Sequence, residues 1–392
     1  MHLLPHDERH LQSALELARH AAGMTSPNPT VGCILANGEV VRGQGAHLYD
    51  HFDHAEIVAL KHAASLNHNV RGATAYVTLE PCAHHGRTGP CSEALIAAGI
   101  ARCVVATVDP NPLVRSKGIG KMQAAGIDVV IVDPTSPLAQ QARRLNDAFA
   151  FSIQHGRPFV TLKAAVSLDG YLAPPPSSRA ATAPHWITGE AARKDAQHLR
   201  HAADAIVTGI GTVLADDPSL TDRTGLPRRR PLLRVILDSR LRIPQETKLL
   251  SSVDHDVLIV AAEDTPEDRI SSLQECGAEV LLAPSLEDNG RIDLLRLLTA
   301  LQERGIRHVL VEAGAAINGS FLAAGLVDQA VLYISEQELG EGSVPFAAGY
   351  PSPYQLQNRL TSVERAAFPH APESTLEDIR IVGYIHDPWS GI

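Results

Sequence analysis

The chain has 392 residues, of which 44% are hydrophobic, 20% charged and only 4% aromatic, and it carries a formal net charge of −10. At roughly 100 to 200 residues per domain that length predicts two domains, and the hydrophobic share excludes a disordered chain. The acidic balance and scarce aromatics exclude a broad phosphate-binding face or a row of base-stacking platforms, so no nucleic acid is expected as partner.

Apolar residues Leu11, Ala14, Leu15 and Ala18 recur at helical spacing from Asp7 to Ala22. Val31 to Leu35 and Glu39 to Arg42 flank Asn37-Gly38 as a hairpin. A helix is predicted over His54 to Ala64, a strand over Ala75 to Leu79, a helix over Ser92 to Ala98 and a strand over Cys103 to Thr107. Another helix (Gly120 to Ala125), a strand (Asp128 to Val132) and a single helix (Leu138 to Ala150) follow. This alternation predicts an α/β layer sandwich over 1–150. The boundary falls in Gln154 to Pro158, and the second domain over 157–392 restarts the strand pattern. Its strands are Phe159 to Leu162, Ala205 to Val207, Val235 to Leu237, Val257 to Val260, His308 to Val311 and Gln329 to Ile334. Pro174 to Ser178, continuing to Pro184, is an irregular loop, because consecutive prolines lack amide donors.

Arg228-Arg229-Arg230 is read as a solvated loop. The five cysteines are odd in number and scattered, which fits reduced thiols. Met1 to Arg19 has no continuous apolar segment of a secretory signal, and no stretch approaches the ~18 apolar residues of a membrane span. A cytoplasmic protein with no membrane partner is expected, as a homo-oligomer.

His54-Ala55-Glu56 opens one predicted helix, and Pro81-Cys82 with Cys91 opens another. His-x-Glu with Pro-Cys and a second Cys is the pattern of zinc deaminases. Three ligands, His54, Cys82 and Cys91, leave the fourth position of Zn2+ open for water. Glu56 is placed to shuttle a proton from that water to a leaving amine. Taken singly, His54 reads as a surface histidine and the cysteines as small buried hydrophobes. A structural zinc site remains a further reading, with His84 or His85 as fourth ligand. The loop Ala83 to Pro90 offers His, Arg and Thr donors for a phosphate or ribose.

Asn28-Pro29-Thr30-Val31-Gly32, His54-Ala55-Glu56 and the run from Pro81 to Cys91 resemble the bifunctional riboflavin-biosynthesis deaminase/reductase family of bacteria. Gly89 stands where that family usually carries a second Pro. The resemblance implies a cytidine-deaminase-like α/β/α sandwich acting on 2,5-diamino-6-(5-phosphoribosylamino)-4(3H)-pyrimidinone, with Asn28, His84 and Arg87 on the substrate. Asn28-Pro29 is also a turn signal in its own right.

In the second half Thr208 to Asp217 carries only two glycines of a dinucleotide fingerprint. Val309 to Ser320 runs from an apolar strand through small residues into a helix, which suits a phosphate at the helix N-terminus or simply a tight turn. The resemblance extends through Lys163 to Gly170, Trp186 to Gly189, Thr212 to Leu220, Asp238-Ser239 and Glu312 to Ser320. It implies a dihydrofolate-reductase-like α/β domain that uses NADPH to reduce the ribosyl chain to ribityl. Cofactor positions would be Ala165, Trp186, Thr212, Asp216, Ser239, Gly314, Ala315, Ala316, Ile317, Asn318, Gly319 and Ser320. Substrate positions would be Lys163, Pro184, Arg200, Leu220, Arg223 and Glu312. Two guanidinium groups suit a phosphate, and a carboxylate suits ribose hydroxyls. Arg200 and Arg223 also read as surface charges, and Trp186 as core.

Pro184 stands where a substrate-contacting Ser is common, Tyr171 where a basic residue is frequent, and the loop between Gly170 and Trp186 is longer and richer in Pro than in relatives. Three further readings stay open: a deaminase with a degenerate, non-catalytic second domain, a nucleic-acid base deaminase, and a protein whose zinc is structural.

Overall fold

The computed structural model describes residues 3–84, 89–178, 186–283, 291–370 and 376–391. Arg87 and Pro184 lie outside these residues, as do His85 and most of the loop approaching Trp186. The chain divides into two compact units. The first holds the residues up to Gly156 with Pro227–Arg229 and Gly391, and the second holds Arg157–Leu226 and Arg230–Ser390.

In the first unit the order is α1 (Pro5–Ala21), β1 (Gly32–Asn37), β2 (Val40–Ala46), α2 (Ala55–Ser65), β3 (Thr74–Val77), α3 (Cys91–Ala97), β4 (Arg102–Val105), α4 (Lys117–Ala124), β5 (Asp128–Ile131), α5 (Pro137–Arg144) and α6 (Asp147–His155). The sheet runs β2-β1-β3-β4-β5, with β1 antiparallel to both neighbours and β3, β4 and β5 parallel. Strand alternation puts Cys33 and Leu35 into one apolar layer with Ala55, Ala59, Leu95 and Met122. Ile34 and Ala36 enter the opposite layer with Leu11, Leu15, Ala139 and Ala142. Helices therefore cover both faces.

The single helix expected over Leu138 to Ala150 is two helices. Buried Asn146 interrupts it by accepting from the Thr30 amide at 2.7 Å and donating to the Thr30 and Ala142 carbonyls. That long-range pairing overrides helix propensity. The arginine run is not a solvated loop either. Arg229 donates to the Ser26 carbonyl and lies 4.2 Å over the Tyr49 ring, while Arg230 reaches the Gly305 carbonyl and Asp204.

The second unit contains β6 (Phe159–Val166), β7 (Tyr171–Ala173), α7 (Glu190–Ala202), β8 (Ala205–Gly209), α8 (Ile210–Asp216), β9 (Leu233–Leu237), α9 (Lys248–Ser251), β10 (Val257–Ala262), α10 (Glu267–Glu275), β11 (Glu279–Ala283), α11 (Leu294–Glu303), β12 (His308–Val311), α12 (Ala315–Ala323), β13 (Gln329–Ile334), β14 (Val344–Pro345), α13 (Pro353–Gln357), β15 (Thr361–Pro369) and β16 (Glu377–Tyr384). Its main sheet runs β11-β10-β9-β8-β12-β6-β13-β16-β15, parallel as far as β13 and antiparallel beyond. β12 inserts between β8 and β6, so the carboxyl ends of these strands meet at a topological switch, the usual place for a ligand in such sheets. Pro176–Ser178 forms one 3-10 turn within the proline-rich loop.

Candidate functional sites

Helix α2 approaches the first sheet closely because Gly43 and Gly45 lie beneath it: a Cβ on either would stand 2.3 Å from the Ala59 carbonyl oxygen or 2.6 Å from that of Ala55. His54 caps this helix in extended conformation, and Glu56 sits buried in its first turn. Cys82 follows β3, and Cys91 is the first residue of α3. The Cys91 amide points at the Cys82 sulfur at 3.3 Å, and Ser92 grips the Cys82 carbonyl through its amide and hydroxyl.

His54 Nδ1 lies 3.5 Å from Cys82 Sγ and 3.3 Å from Cys91 Sγ. Ligands of tetrahedral zinc, bonded at ~2.3 Å through sulfur and ~2.0 Å through nitrogen, stand roughly 3.6 Å apart. The donor set therefore fits the metal. Among the described residues His84 is exposed and outside this cluster. Hydrogen bonding from Cys91, assisted by His54, pulls the Cys82 thiol well below its ordinary range. Burial, reinforced by Cys82, pushes the Glu56 carboxyl up to about 7. A carboxyl poised there exchanges protons readily near neutrality.

Asn28 faces this site through His47, which sequence reasoning did not single out. The amide nitrogen of Asn28 lies 3.1 Å from His47 Nε2, and His47 Nδ1 lies 2.9 Å from the Asp53 carbonyl. The His47 ring stands edge-on to His54 at 5.4 Å. Asp109 was also missed; burial first, then Glu80 and Cys82, push its carboxyl up to about 6. Its sequence signal is Asp109-Pro110-Asn111, a local turn in which the Asn111 amide donates to the Asp109 carboxylate.

In the second unit a cavity of about 1810 Å³ opens along the strand ends. Lys163, Ala165, Trp186, Thr212, Asp216, Ser239, Glu312, Gly314, Ala315, Ala316, Ile317 and Ser320 line it. Asn318 and Gly319 do not. Asn318 is buried and donates to the Phe346 carbonyl, and a Cβ on Gly319 would stand 2.2 Å from the Ala348 oxygen, so both face the core. Gly314 caps α12 without a side-chain bond, leaving backbone amides toward the cavity at a helix start that suits a dinucleotide phosphate. Trp186 is exposed, with the Arg193 guanidinium 4.9 Å from its ring, and is not core.

Glu312 follows β12 and accepts from Arg200 at 2.6 Å, with Lys163 Nζ 3.9 Å away. Burial raises its carboxyl, but Lys163, Arg200 and Arg223 together bring it down to about 2. Arg200 also donates to the Thr221 carbonyl, so it is no surface charge. Leu220 is buried nearby in the chain, at a φ of 54°. The Arg223 amide donates to Gln197.

A chain built this way joins a zinc-dependent deaminase to a nicotinamide-dependent reductase of dihydrofolate-reductase-like fold. Residues 4–107 match the cytidine and deoxycytidylate deaminase zinc-binding region, and residues 158–367 match the RibD C-terminal domain. Riboflavin biosynthesis protein RibD of Bacillus amyloliquefaciens is 41% identical, over 86% of this chain and 87% of its own. RibD of Acinetobacter baumannii superposes with a TM-score of 0.77 at 35% identity, covering 97% of this chain and 98% of its own. A diaminohydroxyphosphoribosylaminopyrimidine deaminase/5-amino-6-(5-phosphoribosylamino)uracil reductase of Thermotoga maritima gives 0.77 at 30% identity, covering 97% and 99%. The chain belongs to the RibD family of bifunctional riboflavin-biosynthesis enzymes, with Zn2+ and NADPH as cofactors. Its second half is a reductase domain, which overturns the degenerate-domain alternative. Among the described residues no helix is long and apolar enough to cross a membrane.

Proposed function

We propose that the first unit deaminates 2,5-diamino-6-(5-phosphoribosylamino)-4(3H)-pyrimidinone and that the second reduces the product's ribosyl chain to give 5-amino-6-(5-phosphoribitylamino)uracil. The observation that carries this is the His54, Cys82 and Cys91 donor set with buried Glu56 beside it, on a chain that also holds the Lys163, Arg200 and Glu312 cluster.

Zinc held by His54, Cys82 and Cys91 supplies a water that is nucleophilic near neutral pH. Glu56 takes a proton from the attacking water and hands it to the departing amino group, so that water enters and ammonia leaves. The Asn28 amide, held by His47, orients the pyrimidine ring, and His84 and Arg87 are assigned to the phosphoribosyl tail.

In the second unit NADPH supplies hydride. Opening the C1′–O4′ bond of the ribosyl group consumes that hydride at C1′ and a proton at O4′. Lys163 provides a cation beside the reacting carbon, Glu312 holds ribose hydroxyls, and Arg200 and Arg223 face the phosphate, with Leu220 against the substrate. Ala165, Trp186, Thr212, Asp216 and Ser239 would hold the cofactor, with Gly314 to Ile317 and Ser320 suited to its phosphates. Pro184 lacks both a hydroxyl and an amide proton, so it contributes no hydrogen-bond donor to the substrate. A cytoplasmic homo-oligomer completes the proposal.

The test is a product-resolved assay of zinc-loaded enzyme with and without NADPH. Ammonia release is expected in both, and NADPH consumption with ribityl product only in the first. Absence of ammonia from this pyrimidine overturns the deaminase assignment; a ribosylated uracil that persists with NADPH overturns the reductase assignment.

A further inference from the structure

Glu80 stands two residues before the ligand Cys82 and is buried, yet among the described residues it is not part of the His54, Cys82 and Cys91 cluster. Its carboxylate accepts four backbone amides. Oε1 receives those of Gly118 at 3.0 Å and Ile119 at 3.3 Å, and Oε2 those of Ser116 at 2.9 Å and Asp109 at 3.2 Å. Gly118 and Ile119 are the second and third residues of α4, whose capping residue Ser116 has a φ of 62° and makes no side-chain cap bond. Glu80 therefore does from another segment what an N-cap side chain ordinarily does from its own. It also has the sign that a helix start favours.

The helix so anchored bears on both cysteine segments. A Cβ on Gly118 would stand 1.8 Å from the Pro81 carbonyl oxygen, so α4 rests directly on the peptide that leads into Cys82. One turn along, Lys121 donates to the Ala83 carbonyl at 3.3 Å and to Glu93 of α3 at 2.7 Å, and Cys91 opens that helix. Glu80 is fixed from behind as well, its own amide donating to the Thr107 carbonyl at 3.0 Å.

We propose that Glu80 is a positioning residue for the deaminase reaction: by capping α4 and tethering Asp109, it sets where Cys82 stands relative to His54 and Cys91. It touches neither metal nor substrate. The proposal rests on the deaminase reading above. Replacing one carboxylate oxygen by an amide turns two satisfied amides toward a donor, a geometry that must open.

The experiment compares full-length, zinc-loaded wild type with Glu80→Gln, Glu80→Asp and, as a structural control, Asp7→Asn. Asp7 is an equally buried carboxylate of the same unit, bonded to Arg102, Tyr76 and the Leu4 amide rather than to the cysteine segments. Ammonia release, NADPH oxidation supplied with deaminated product, zinc affinity and thermal midpoint are measured on each preparation. Supporting residues behind metal ligands typically matter roughly 10–100-fold in affinity or activity, and a loss of that size in deaminase kcat or zinc affinity is expected for Glu80→Gln, with reductase kcat unchanged. Glu80→Asp, which keeps the charge but shortens the reach, is expected to fall between wild type and Glu80→Gln. It carries the comparison if Glu80→Gln does not fold. Asp7→Asn is expected to lower the midpoint while kcat per folded molecule holds. The proposal is overturned if the Glu80 variants match Asp7→Asn in pattern, losing stability but retaining zinc affinity and kcat within about twofold, a change well below that expected range. A wild type that releases no ammonia overturns the deaminase reading instead.

Discussion

Glu312→Gln removes the carboxylate that pairs with Arg200 at 2.6 Å and lies 3.9 Å from Lys163. In the folded protein the carboxyl is held at about 2 against an ordinary 4.5. That gap corresponds to a net stabilisation on the order of 3 kcal/mol, the attraction of the surrounding cations less the opposing cost of burial. Because the folded-state value is depressed, the contribution is complete above the unfolded value and is lost as pH falls from about 4.5 toward 2. The chain's two tryptophans, Trp186 and Trp389, both belong to the second unit, so tryptophan fluorescence reports that unit alone. At an m-value of ~2 kcal/mol/M the variant's urea midpoint near neutral pH should fall by about 1.5 M. The difference from wild type should shrink steadily below about pH 4.5 as wild-type Glu312 protonates. A midpoint shift under ~0.5 M at neutral pH, less than about a third of the expected value, refutes the cluster's energetic role. So does a difference that stays constant down to about pH 2, since linkage requires it to decline.

Glu56→Gln should lower deaminase kcat by roughly 10²- to 10⁴-fold, the usual size of a lost proton shuttle, and leave NADPH oxidation of supplied product untouched; ammonia release checks it, and retained activity would make the zinc structural. Chelation should abolish deamination, spare the reductase, and be reversed by added Zn2+, which paired assays on one sample would show. Asn146→Ala strands the buried Thr30 amide and carbonyl, so the first unit should lose about 2–3 kcal/mol, read by denaturation followed through far-ultraviolet ellipticity alongside deaminase activity.

The deaminase half was legible because its chemistry is local in sequence: His54 and Glu56 share one helix start, and Cys82 and Cys91 bracket another. The parallel strands of both sheets other than β11 were visible as apolar runs, since burial on two faces leaves no polar alternation; β11 lies at a sheet edge with only Ala283 fully buried, and was not read as a strand. β15 gave no such signal. Most of its residues are exposed, and Glu364 and Arg365 sit in its middle. β16 was hidden by Asp378 and Arg380, polar residues within a strand pattern that pair with His370 and Asp195. What the sequence could not display were the agents that act across the chain. His47 meets Asn28, Glu80 meets α4, and Asn146 splits a helix, each through contacts 19 to 116 residues apart for which no local pattern exists. Arg200 and Glu312, 112 residues apart, were placed together only through the family resemblance, and the structure joins them by a direct ion pair.

The glycines beneath α2 carry a consequence for how this half of the enzyme can change over generations. Gly43 and Gly45 let the helix that begins at His54 rest on backbone rather than on side chains, and Gly118 does the same for the peptide before Cys82. A backbone-to-backbone seat leaves no side chain to vary, so drift there is all or nothing. The seating of the two ligand-bearing segments is thereby protected from gradual remodelling, which is left to positions where side chains rather than backbone make the contacts.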